Sequence, residues 1–212
     1  MDAIISILLS IITAVTAIIA IVISIVEIRK SNKQSLFERR LNAYLKVLWM
    51  KKLCEANKTL KDTYLDEGKN CPILELDFIF CQMTNCADLE EIQGTLQHLN
   101  NSELKRKFLL KIELLRNLCE EVKLIFPENI GYPLSDFVFY YEEMLFAMYR
   151  YQITLEKLSN DVQDSTKPLP CNNSIENACR WNLIKYLSGT FEISERLWKD
   201  GTLRKATKQI KL

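Results

Sequence analysis

Apolar and polar residues alternate along this chain with helical periods, and one segment is apolar all round. From Ala3 to Val26 there is no charged residue, no Pro and no Gly over 24 residues. As a helix that segment is about 36 Å long, enough to cross a hydrocarbon core of roughly 30 Å. Asp2 precedes it, and Glu27, Arg29 and Lys30 close it. A cleaved signal peptide needs a basic start and a shorter apolar core, so the pattern predicts a retained transmembrane anchor. Nothing after it breaks a helix before Gly68. Leu36, Leu41, Tyr44, Leu45, Leu48, Leu53 and Leu60 keep a spacing near 3.6 and predict that the same helix runs on to about Leu65.

Further helices follow. Glu67 to Pro72 reads as a loop, and residues 73–83 as an apolar stretch of ambiguous type. Asn85 and Asp88 open a helix reaching about His98. Asn100, Asn101 and Ser102 cap the next, with Leu104, Phe108, Ile112, Leu115, Cys119, Val122 and Phe126 on its apolar side and Pro127 at its end. The longest pattern follows Pro133. Leu134, Phe137, Tyr141, Met144, Met148, Tyr151, Leu155, Leu158 and Val162 alternate steps of three and four, widened by Val138 and Leu145. A loop spans 164–170. Asn173 with Glu176 resembles a capping box for a helix over about 174–188, stopped by Gly189. Another helix covers about 191–199, stopped near Gly201, and a basic tail holds Arg204, Lys205, Lys208 and Lys211, read as a solvated end in preference to one lying against anionic lipid headgroups. The fold class expected is all-α: a single N-terminal transmembrane helix followed by a cytoplasmic antiparallel helical bundle. The expected divisions are an anchor over 1–30, a continuing helix over 31–66, and the bundle with its tail over 67–212.

The anchor carries an internal order. Ser6, Ser10, Thr13, Ala17, Ala20 and Ser24 are spaced 4, 3, 4, 3, 4, a heptad seam of small residues. Small side chains let helix backbones approach in lipid, and hydroxyls can bond across the contact. A lone anchor has no intramolecular partner, so this seam predicts self-association through a left-handed crossing. Arg29, Lys30, Lys33, Arg39 and Arg40 all follow the apolar segment. They predict a single-pass protein of the cell inner (plasma) membrane, with its N-terminus outside and its C-terminal domain in the cytoplasm.

Charge and cysteine content narrow the function. The 28 basic and 27 acidic residues nearly balance, which argues against direct nucleic-acid binding. Seven cysteines without a C-x-x-C pair read as reduced thiols, mostly buried, consistent with a reducing compartment. The one histidine, His98, would have to serve any Ser or Cys triad, and it sits at a polar helix end. There is no P-loop, no G-x-G-x-x-G, no G-x-S-x-G and no H-E-x-x-H. Glu142 and Glu143 point about 100° apart on a helix and read as a solvated pair, like Glu90 with Glu91 and Glu120 with Glu121. No enzyme activity, cofactor or metal is expected.

The run from Lys33 to Val47, KQSLFERRLNAYLKV, placed directly after one membrane helix, resembles a pattern in small bacterial single-pass membrane proteins. The layout is similar to that of membrane effectors of bacterial antiviral systems, including the pore-forming accessory protein of some RNA-targeting CRISPR systems. That protein has a HEPN-like signature, an Arg a few residues ahead of a His, and no Arg stands so before His98. The resemblance implies a homo-oligomeric, pore-forming or membrane-disrupting effector, with the lipid bilayer and a cytoplasmic protein activator as partners. The alternative is a membrane-tethered scaffold that recruits a cytoplasmic protein.

Overall fold

The computed structural model describes residues 2–58, 101–163 and 174–210, with side chains left out at 2–6, 8 and 161–163. Five helices and no strand occur among the described residues: α1 (Asp2–Ala56), α2 (Ser102–Ile125), α3 (Glu128–Gln163), α4 (Ser174–Lys199) and α5 (Thr202–Ile210). The loop expected at 67–72, the stretch 73–83, the helix ending near His98 and the loop at 164–170 lie outside the described residues. So does the continuation of α1 from 59 to 65.

α1 is a single helix of 55 residues with two environments. Up to Phe37 its described side chains are exposed, and from Ala43 onward one face is covered. The covered stripe is Ala43, Val47, Met50, Cys54 and Asn57, in steps of 4, 3, 4 and 3. Leu41, Tyr44, Leu45 and Leu48, expected on the apolar face, sit half-buried at its margins.

α2, α3 and α4 form the body. The Asn101 side chain accepts from the backbone N–H groups of Glu103 and Leu104, so the cap expected there is made. Phe108, Ile112, Cys119, Val122 and Phe126 are buried as their spacing predicts. Phe108 stacks near Tyr149, Arg116 meets Glu142, and Cys119 meets Ser135, so rising numbers on α2 pair with falling numbers on α3. The α3 seam from Leu134 to Tyr151 is wholly buried, and so are Val138 and Leu145. On α4 the buried stripe is Glu176, Arg180, Leu183, Leu187, Thr190, Ser194 and Leu197. It meets α3 in reversed order, Tyr151 touching Glu176 and Tyr140 touching Thr190.

Several expectations are corrected. α3 begins at Glu128, before Pro133, which lies inside it. The Pro127 carbonyl accepts from the N–H groups of Ile130 and Gly131, so the first turn is closed before Pro133, which has no N–H to donate to the Asn129 carbonyl four residues back. Gly189 does not end a helix, since α4 runs through it to Lys199. A Cβ at Gly189 would lie 2.5 Å from Tyr140 Cε1, so the glycine admits the Tyr140 ring. The stop is Gly201, at φ +65, a left-handed conformation that glycine adopts freely. Lys211 lies outside the described residues, and up to Ile210 the basic tail is not a solvated end. As α5 it buries Leu203, Ala206 and Ile210 and keeps Arg204, Lys205 and Lys208 outside.

Candidate functional site

Two features stand out: the uncovered part of α1, and the place where α1 joins the body. From Leu9 to Ile28 every large apolar side chain of α1 is at least 46% exposed. They point all round the helix, so no face is shielded by protein. In water such a segment would leave far more contiguous apolar surface than a soluble monomer carries. It is the one described helix long and apolar enough to cross a membrane.

The predicted seam lies in that segment. Ser10, Thr13, Ala17, Ala20 and Ser24 are exposed, and the side chain of Ser6 is outside the described residues. The Thr13 hydroxyl donates to the Leu9 carbonyl at 2.8 Å. The Thr16 hydroxyl reaches the carbonyls of Ile12 and Thr13 at 3.0 and 2.9 Å. Such bonds to the preceding turn satisfy a hydroxyl where no water reaches. Thr16 was not in the predicted seam, yet it neighbours Thr13 and Ala20 at helical spacing.

The five basic residues expected to set topology divide into two groups. Arg29, Lys30 and Lys33 are exposed on the bare part of α1. Arg39 and Arg40 also dock α1 on the body. Arg39 Nε pairs with Glu121 at 3.0 Å. Arg40 Nε donates to the Ile125 carbonyl at 2.6 Å, and its Nη1 donates to the Gln209 carbonyl at 3.2 Å. Its guanidinium also lies 5.9 Å from the Phe126 ring centroid. One arginine thus holds the C-terminal carbonyls of α2 and α5, where helix dipoles favour a cation. α5 runs back along α1, with Thr207 bonding Tyr44.

At the far end of the docked part, α1 and α4 enclose a cleft of about 320 Å³, lined by Lys51, Cys54, Lys58, Ser194 and Trp198 among others. Lys51 pairs with Glu55, and its ammonium lies 5.0 Å from the Trp198 ring centroid. Lys58 and Lys199 both pair with Glu195, at 3.4 and 3.5 Å. The bond and charge of Lys58 hold the Glu195 carboxyl below its usual range, with Lys199 adding to the effect. Burial pushes the Cys54 thiol up to about 12, against a smaller opposing effect of its Ser194 hydrogen bond. At neutral pH the Cys54 thiol is therefore held protonated.

Two buried carboxylates were missed from sequence. Glu142 is not solvated: its side chain is 2% exposed and bonds Arg116 Nη2 at 2.6 Å. Burial raises its carboxyl, the Arg116 bond and charge lower it, and Glu143 adds to the rise. Val138, Glu142, Leu145 and Tyr149 are spaced 4, 3, 4, so a carboxylate inside an apolar seam was the available signal. Glu176 accepts from the Tyr151 hydroxyl at 2.9 Å and pairs with Arg180 Nε at 3.3 Å. It ties α4 to α3 through Tyr151; Asn173, its expected capping partner, lies outside the described residues. Both carboxylates have a partner across the α2–α3 or α3–α4 contact, Arg116 for Glu142 and Tyr151 for Glu176.

Cys54 and Cys119 are buried free thiols, and Cys179 is half-buried. Among the described residues no group of three His, Cys, Asp or Glu side chains is placed to hold a metal ion. His98 lies outside them. No protein-family model, curated protein or solved structure matches this chain.

Proposed function

We propose that this protein is a non-enzymatic membrane effector that self-associates through its anchor. α1 crosses the bacterial inner membrane with its N-terminus outside, and the helices from α2 onward form an antiparallel bundle in the cytoplasm. The reading rests on one observation: the apolar segment of α1 has no protein cover, yet it continues without a break into a helix docked on the body. An unbroken helix transmits tilt and rotation, so a change in the body alters how the anchors pack. Copies meet through Ser6, Ser10, Thr13, Ala17, Ala20 and Ser24, and their clustering perturbs the bilayer as a pore or a disordered patch. A cytoplasmic protein acting on the body is the trigger that fits this arrangement.

Crosslinking in native membranes tests it. The wild type should yield defined oligomers and leak ions on overexpression. Replacing the seam residues by Leu should abolish both while the protein stays membrane-bound. A protein that is monomeric with and without the seam would overturn the reading.

A second reading, a membrane-tethered module that recruits a cytoplasmic protein, is favoured by Leu110 and Leu114. They lie one turn apart on the outer face of α2, about half exposed. A specific partner lost on changing both to Gln, with no ion leakage from the wild type, would support it over the first.

A further inference from the structure

The α1–α4 cleft has a composition that neither its packing nor the anchor requires. Its volume, about 320 Å³, is near the small end of the roughly 300–1,000 Å³ usual for ligand pockets. Its floor is formed by Phe191, Cys54 and Ser194, all buried. Lys51, with a side chain only 8% exposed, sits against the Trp198 ring and is neutralised by Glu55. Trp198 is nevertheless 70% exposed, so most of a large flat ring is offered to solvent at the mouth. Exposed tryptophans of this kind bind other rings by stacking.

The charge at the mouth is unbalanced. Lys58 and Lys199 are both exposed and share a single carboxylate, Glu195. Among the described side chains lining the cleft, three lysines stand against two glutamates. The C-terminal ends of α1 and α4 lie here, and their partial negative charge accounts for lysines being present. It does not account for an exposed indole beside a recess. Two ammonium groups facing one carboxylate form a seat for a second anion, and the ring stands next to that seat.

We propose that this cleft binds a mononucleotide, its base stacked on Trp198 and its phosphate between Lys58 and Lys199. The walls come from α1 and α4, so an occupant touches both the anchor helix and the body. The binding itself does not rest on the membrane reading, because it is measured on the protein in detergent, where anchor packing is not the readout.

The experiment is calorimetry on the full-length protein in detergent, with adenosine monophosphate as probe and adenosine and inorganic phosphate as the separate halves. Saturable binding of the monophosphate is expected, with each half binding more weakly. Replacing Lys58 and Lys199 together by Ala should weaken it roughly tenfold, as for loss of a charge-assisted contact. Trp198→Leu should weaken it and remove the accompanying change in tryptophan fluorescence. All three positions are exposed, and circular dichroism should report unchanged helix content. Absence of saturable binding, equal binding by the double variant, or equal affinity for phosphate alone would each overturn the proposal.

Discussion

The Arg116 guanidinium holds the buried Glu142 carboxylate at 2.6 Å from a position that is itself 66% exposed. The pair spans α2 and α3 at mid-height, so a charged group sits inside the main seam with its counter-ion at the surface. Because burial raises the Glu142 carboxyl, the folded protein holds that proton more tightly than the unfolded chain does. The stability linked to Glu142 is then fullest below the unfolded value of 4.5 and declines as pH rises through the higher folded value. Glu142→Gln removes the decline. Thermal unfolding followed by circular dichroism should show E142Q gaining on the wild type between acid and neutral pH. A constant difference across that range would refute this.

At Gly189 the Tyr140 ring of α3 lies where a Cβ on α4 would stand. In a helix, Gly189→Ala alone would favour folding by about 1 kcal/mol. Here the new methyl would meet Tyr140 Cε1 and Cδ1 at 2.5 and 2.6 Å. A net destabilisation of about 1–3 kcal/mol is expected from overpacking. Adding Tyr140→Ala to G189A should recover part of the loss, which unfolding midpoints of the single and double variants would show.

Cys54 should resist thiol reagents. Its proton is held to about 12, so at neutral pH almost no thiolate exists, and the side chain is buried. Peptide mapping after iodoacetamide treatment should find Cys179 modified well before Cys54. The same shift makes stability fall as pH rises above the unfolded value of 9.0 toward the folded one. Rapid modification of Cys54 in the folded protein would contradict this packing.

Arg40 ties together three helices, α1, α2 and α5. Arg40→Ala leaves the Ile125 and Gln209 carbonyls without that donor, at a cost of about 1–3 kcal/mol. Hydrogen exchange should rise most in α5, whose nine residues have the least helix of their own to rely on. Arg40→Lys keeps the charge but cannot span both carbonyls, so it should fall between the two. Protection of α5 unchanged in R40A would mean that Leu203, Ala206 and Ile210 hold it without the arginine.

By itself the sequence determined the all-helical class, the long apolar segment in α1, and the buried faces of α2 and α3. Each of these is local, because a helix repeats every 3.6 residues and a buried stripe must recur at that period wherever it packs. The tertiary structure decided what periodicity cannot carry. Gly189 reads as a helix stop until Tyr140, 49 positions away, is seen to need the space. The tail reads as a solvated basic end until the face bearing Leu203, Ala206 and Ile210 finds a surface to cover. Arg40 reads as one more basic residue after the apolar segment until two helix ends converge on it. The cleft exists only because α1 and α4, more than a hundred residues apart, meet with their lysines on one side. Spacing along a helix fixes which residues share a face; which partner that face meets depends on how separate helices pack.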